Sequence, residues 1–224
     1  WAIRQDAPQL KALVDRYMAG HRSGTAIGNT VLRRYLRDGK WVKGATSRQE
    51  LARFERTIAF FRKYAAQYAF DPLMLAAQGY QESGLDQNRK SRVGAIGIMQ
   101  IMPATGRELG VGDIRQEESN IHGGAKYMRR LIDTHFEAPG IDDFNRTLFA
   151  FASYNAGPGR ISSLRKEAAK RGLDPNQWFG HVETVAAMRI GRETTQYVAN
   201  IAKYYIAYKL IDSQRQEAAR GGSD

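Results

Sequence analysis

A glutamate in the last turn of an apolar helix, followed by a glycine-rich loop, is the part of this chain best equipped for chemistry. Glu82 stands in Gln81-Glu82-Ser83-Gly84, and the loop reads Val93-Gly94-Ala95-Ile96-Gly97-Ile98-Met99-Gln100-Ile101-Met102-Pro103. Asp71-Pro72 supplies an N-cap with proline at the first helical position, and Gly84 is a suitable stop. Glu82 therefore lies at the negative end of the helix dipole, which disfavours its ionised form. Burial acts the same way, because an unpaired carboxylate out of water takes up a proton. A carboxylic acid that keeps its proton near neutral pH suits the protonation of a leaving-group oxygen, as in glycosidic bond cleavage.

The elements that must hold this acid read as almost entirely helical. Apolar residues at helical spacing (Leu51, Phe54, Ile58, Phe61, Tyr64, Ala65) predict a helix from Arg48 to about Tyr68. Further helices are predicted from Pro103 to Gly110, from a Ser119-Asn120 cap through His135, from an Asp142-Asp143 cap to Tyr154, from Arg160 to Lys170, and from Arg192 to Asp212. Residues 86–101 lack helical periodicity, leaving room for a short hairpin around 92–101. Shorter helical stretches precede these at Gln9 to Met18 and Thr30 to Leu36, and the polar tail from Gln214 to Asp224 reads as frayed.

Bulk properties narrow the function. The 224 residues, 42% hydrophobic, suffice for one domain with a proper core. There is no cysteine, hence no disulfide and no thiol chemistry, and no apolar run long enough to span a bilayer. The chain begins at Trp1, and no leader is visible in it; we expect a segment removed from, or belonging to, a longer protein. The net charge of +11 is concentrated early, with ten Lys/Arg against four Asp/Glu in residues 1–50. No zinc-finger spacing, aromatic RNA-binding string or lysine-rich tail accompanies it, so nucleic acid is not the expected partner. Anionic cell-wall polymers or lipid headgroups fit the charge better. His122, His135 and His181 have no metal-ligand spacing, and no calcium loop is present; neither metal nor cofactor is expected.

Three short pieces recur at a distance: Glu82-Ser83, Gly97-Ile98-Met99-Gln100, and Ser153-Tyr154-Asn155-Ala156-Gly157, followed by Glu193-Thr194-Thr195-Gln196-Tyr197-Val198. In this order and spacing, over about residues 50–210, the chain resembles the Slt-type (family 1) lytic transglycosylases, whose fold is lysozyme-like. Three positions depart from the pattern. Ile98 replaces a leucine, Ser153 replaces an alanine, and Leu85 stands where many members carry an aromatic, which would alter a sugar subsite. Trp1-Ala2-Ile3-Arg4 and Leu10-Lys11-Ala12-Leu13 resemble the last helices of the periplasmic solute-binding domain in membrane-bound F-type members. The expected organisation is thus a helical remnant over 1–45, a catalytic domain over 46–212 and a flexible tail over 213–224.

The resemblance implies an all-α fold and cleavage of peptidoglycan glycan strands in the periplasm or outer envelope of a bacterium. It implies a monomer, with any membrane attachment outside this chain. Glu82 matches the sole acid/base, protonating the bond between N-acetylmuramic acid and N-acetylglucosamine and then deprotonating the muramic C6 hydroxyl as a 1,6-anhydro ring closes. Ser91 matches the serine that hydrogen-bonds the 2-acetamido group. Ser83, Gly97, Met99 and Gln100 match positions around the cleft near the acid. Tyr154 and Asn155 match residues that close over acid and sugar, Tyr154 by a hydrogen bond to Glu82 or by pressing on it. Glu193 matches a substrate-binding carboxylate. Two rival readings remain: a hydrolytic muramidase with Asp86 or Glu193 as second carboxylate, and a non-catalytic wall-binding module.

Overall fold

The computed structural model describes residues 48–221, together with position 12; side chains are described as far as Ser213. The expected remnant over 1–45 and its two short helices fall outside these residues, apart from Ala12.

α1 (Arg48–Tyr68) turns Phe54, Thr57, Phe61, Tyr64 and Ala65 inward, the stripe its sequence spells. α2 (Pro72–Ser83) is different: Leu73 to Gly79 are all buried, so this helix runs through the centre of the molecule. Asp71 caps it, accepting a hydrogen bond from the Leu73 amide at 2.9 Å. Gly84 ends it in the left-handed conformation (φ 69°), which glycine adopts without the Cβ penalty. α1 and the long α8 (Glu193–Gly221) pack on α2.

After α2 the chain crosses a loop in which the expected hairpin is reduced to two single bridges, Lys90 to Ile96 and Ile96 to Ile101. No strand forms among the described residues. Backbone bonds within the loop, such as the reciprocal pair between Ile96 and Ile101 at 3.0 Å each, are reinforced by side chains. Asn120 is fully buried: its Oδ1 accepts from the Met99 amide at 2.7 Å, and its Nδ2 donates to Ile96 O at 2.8 Å and Ile114 O at 2.9 Å. Gly97, at φ 81°, lies so close that a Cβ would meet Asn120 Cγ and Gln87 Nε2 at 2.7 Å each. Gly97→Ala is therefore expected to cost about 2–4 kcal/mol through left-handed strain and overpacking, read as a lowered thermal midpoint.

The remaining helices surround this centre: α3 (Pro103–Leu109), α4 (Glu117–His135), α5 (Asp143–Ala156) and α6 (Pro158–Lys170). Asp142 caps α5, accepting from the Asn145 amide at 2.7 Å. Three elements differ from the sequence expectation. α4 begins at Glu117, so Ser119 and Asn120 lie inside it rather than capping it; the loop claims the Asn120 side chain. A π turn (Trp178–Val182) and α7 (Glu183–Ile190) occupy a stretch to which the sequence assigned no element. They seat a fully buried Trp178 edge-on to Phe149, with ring centroids 6.0 Å apart. Finally, α8 keeps its helical backbone through Gln214-Arg215-Gln216-Glu217-Ala218-Ala219-Arg220 to Gly221 rather than fraying there; those residues are good helix formers. No helix among the described residues is long and apolar enough to cross a membrane.

Candidate active site

Glu82 sits in the last turn of α2, partly buried, facing α8. The hydroxyl of Tyr197 donates to its Oε1 at 2.5 Å. Burial pushes the carboxyl up to about 7, and the Tyr197 hydrogen bond pulls against that rise. Burial also raises the Tyr197 phenol well above its ordinary range, helped by the Glu82 charge, so the hydroxyl stays a donor. The acid is thus half-protonated near neutrality, where proton transfer in both directions is efficient.

The tyrosine that hydrogen-bonds the acid is Tyr197; of the two roles expected of Tyr154, the hydrogen bond to Glu82 is not made. Tyr154 lies near enough for the Glu82 charge to raise it, but its hydroxyl donates to Met99 O at 2.7 Å. It also meets Tyr127 edge-on at 5.2 Å. Its place is to fasten α5 to the loop. Tyr197→Phe is expected to raise the Glu82 pKa by about one unit, since a hydrogen bond to a charged group contributes roughly 1.5–3 kcal/mol. Titration of the ¹³C-labelled carboxyl checks it.

Ser83 is fully engaged. Its hydroxyl donates to Ile98 O at 2.9 Å or, one turn back, Gly79 O at 3.2 Å, and accepts from the Asp86 amide at 3.0 Å. It clips the acid's helix to the loop. Asp86 in turn accepts from the Asn88 amide at 3.0 Å, an ordinary turn. Ser91 accepts from the Ala95 amide at 2.9 Å, leaving its hydroxyl hydrogen available. Met99 lies behind the cleft, its side chain fully buried against Gly124. Gln100 takes a positive φ of 48° and donates from Nε2 to Gly97 O at 2.8 Å. Leu85 is fully buried in the core.

At the C-terminal end of α5, Asn155 is exposed and accepts from the Thr194 hydroxyl at 2.7 Å through Oδ1. This joins α5 to the first turn of α8. Glu193, next to Thr194, is exposed. The structure therefore ties Ser83 and Tyr154 to the loop around Met99 by direct bonds, bonds Glu82 to Tyr197, and joins Asn155 to Thr194 beside Glu193. Two participants were not singled out from sequence, Tyr197 and Asn120. Tyr197 stood in the Glu193-to-Val198 segment at helical spacing, the pattern of a core residue. Asn120 carried the side chain of a cap. His122 stacks on Tyr64, with centroids 4.3 Å apart, and shares a hydrogen bond with Tyr68 at 2.8 Å.

The central helix, the acid in its last turn and the glycine-bearing loop all lie within a segment that matches a known family. Residues 59–176 match the Transglycosylase SLT domain, and the chain belongs to that family. Glu193 and Tyr197 lie beyond the matched segment. Its relatives include the membrane-bound lytic murein transglycosylase F of Stutzerimonas stutzeri, 34% identical over 183 residues, covering 75% of this chain and 36% of the relative. That of Pseudomonas fluorescens is 34% identical over 170 residues, covering 70% and 34%. The chain thus spans about a third of the length of these relatives. Among solved structures, an inactive glutamate-to-glutamine variant of the lytic transglycosylase Slt from Pseudomonas aeruginosa superposes with a TM-score of 0.55. It is 22% identical, and the match covers 91% of this chain and 30% of that one. The fold is that of the lysozyme-like lytic transglycosylases.

Proposed function

We propose that this chain is the catalytic part of a lytic transglycosylase. It cleaves the β-1,4 bond between N-acetylmuramic acid and N-acetylglucosamine in peptidoglycan, leaving 1,6-anhydromuramic acid. The observation that carries the reading is Glu82, poised near neutral pH with no second carboxylate acting on it. Most glycoside hydrolases, of either stereochemistry, use two carboxyl groups flanking the bond, those assisted by the substrate's own acetamido group being exceptions. Here Asp86 is held in a turn and Glu193 is exposed.

In this mechanism protonated Glu82 gives its proton to the glycosidic oxygen as the bond to C1 breaks. The acetamido oxygen of the muramic residue closes on C1 and shares the positive charge. Glu82, now ionised, takes the proton from the C6 hydroxyl as O6 attacks C1, which breaks the bond from the acetamido oxygen and restores the acid. No water is consumed. The Ser91 hydroxyl donates to the acetamido group, and the amide nitrogen of Asn155 and the carboxylate of Glu193 bind sugar hydroxyls. Ser83, Gly97, Met99 and Gln100 hold the loop against the acid. The protein acts as a monomer in the periplasm or outer envelope, and any attachment to a membrane lies outside this chain.

Mass spectrometry of purified peptidoglycan digested with this chain tests the reading. Soluble muropeptides lighter by one water and lacking a reducing end support it. Ordinary reducing ends mean a hydrolase, and binding without release means a wall-binding module.

A further inference from the structure

One turn before Glu82 on the same helix, Gln78 is fully buried, and neither its Oε1 nor its Nε2 has a hydrogen-bond partner. A buried primary amide left unsatisfied is costly at both ends. The Tyr197 hydroxyl lies close enough for the amide to make it more acidic, short of a formed hydrogen bond. That hydroxyl donates to Glu82, and its oxygen can still accept. The Tyr154 hydroxyl is already committed as a donor, to Met99 O.

We propose that Gln78 is a positioning residue for Glu82, acting through Tyr197: its amide gives the Tyr197 hydroxyl a partner in both protonation states of the acid. The inference rests on the acid/base role proposed above for Glu82. When Glu82 is ionised, Gln78 Nε2–H donates to Tyr197 Oη, and Tyr197 O–H donates to the carboxylate. When Glu82 carries its proton, Glu82 O–H donates to Tyr197 Oη, and Tyr197 O–H turns to Gln78 Oε1. The phenol keeps its own proton throughout; only its direction reverses. A side chain with one donor group and one acceptor group is what such a reversal needs. Leucine or methionine of similar bulk supplies neither.

Other groups do not account for the same behaviour. At this end of α2, α1 presents Arg53, whose Nη1 donates to Gly84 O at 3.2 Å, and Glu50 beside it. From α8, Tyr205 and Lys209 face Asp71 at the opposite end of α2. From α5, Tyr154 is held by the loop. Burial raises the Glu82 carboxyl and the Tyr197 hydrogen bond lowers it, and none of these charged groups shifts it.

The test is ¹³C titration of the Glu82 carboxyl in the full chain, for Gln78→Met and Gln78→Leu, each with and without Tyr197→Phe, with folding checked by thermal melts. Without the amide, the ionised state loses one contact to a phenolic oxygen, whereas the protonated state strands a buried O–H donor, the larger penalty. The Glu82 pKa is expected to fall by about one pH unit, tenfold in proton affinity. In the Tyr197→Phe background the same substitutions are expected to shift nothing. An unchanged or raised pKa in the parent background, or an equal fall in both, overturns the relay. Peptidoglycan digestion by the unsubstituted chain, run alongside, separates the two proposals. If no anhydro products appear, the functional reading fails while the titration still decides the relay.

Discussion

Glu82→Gln is expected to abolish release of anhydro-muropeptides, by at least about a thousandfold, while making the protein more stable above neutral pH. Loss of a general acid lowers rates by about 10²–10⁴, and here one group serves both proton transfers. The stability effect follows from linkage. The folded-state pKa of about 7 lies above the ordinary 4.5. The folded protein therefore holds this proton more tightly than the unfolded chain, and stability falls as pH rises from about 4.5 to about 7, then levels off. The gap corresponds to roughly 3 kcal/mol. Glutamine does not titrate, so the thermal midpoint of the variant should exceed the parent's by on the order of 5–10 °C at pH 8, and that advantage should shrink towards pH 4.5. Melts at the two pH values check this. A variant that cleaves at the parent rate would remove Glu82 from the chemistry.

Asn120→Ala is expected to be the most damaging substitution away from the acid, at about 3–5 kcal/mol. It strands the buried Met99 amide and takes one donor each from the Ile96 and Ile114 carbonyls; the Ile96 carbonyl keeps the Ile101 amide at 3.0 Å. The Ile114 carbonyl keeps Gln87 Nε2 at 3.0 Å, which holds the total below three full penalties. Met99 O is the point to which Tyr154 is fastened, so the loop loses its hold on α5 as well. Chemical denaturation gives the energy, and cleavage measured well below the melting point shows whether the loop's position, beyond global folding, is what activity needs.

The helices around the acid were legible wherever capping and periodicity agreed. Asp71, Pro72 and Gly84 fixed both ends of α2, and the stripe on α1 named its buried face. The place of Glu82 in the last turn of α2 was legible because Gly84 marks where that apolar helix stops. Asn120 was not, since asparagine near a helix start normally caps, and only the approach of a distant loop gives it three other bonds. Tyr197 was hidden for a related reason: a tyrosine at helical spacing packs in the core as a rule, and this one does both, burying its ring and delivering its hydroxyl to Glu82. The stretch over Trp178–Ile190 escaped because Gly180, at φ 77°, interrupts any periodic pattern there. Met99 shows a limit of motifs. They tie a position to a site without telling whether the side chain faces the substrate or braces the wall behind it.

Asp71 does more than begin α2. Its Oδ1 caps the helix, while its Oδ2 accepts from the Tyr205 hydroxyl at 2.8 Å. Glu82 and Tyr197 make the matching contact at the other end. Two rungs thus join antiparallel helices, separated by roughly 16 Å along α2 and roughly 12 Å along α8 at the usual 1.5 Å per residue. Such a ladder fixes the register of α8 on α2. A slide of one residue would draw both phenols away from their carboxylates together. The acidity of Glu82 is therefore a gauge of helix alignment, and any influence that reaches α8 from outside the site has a direct route to the proton.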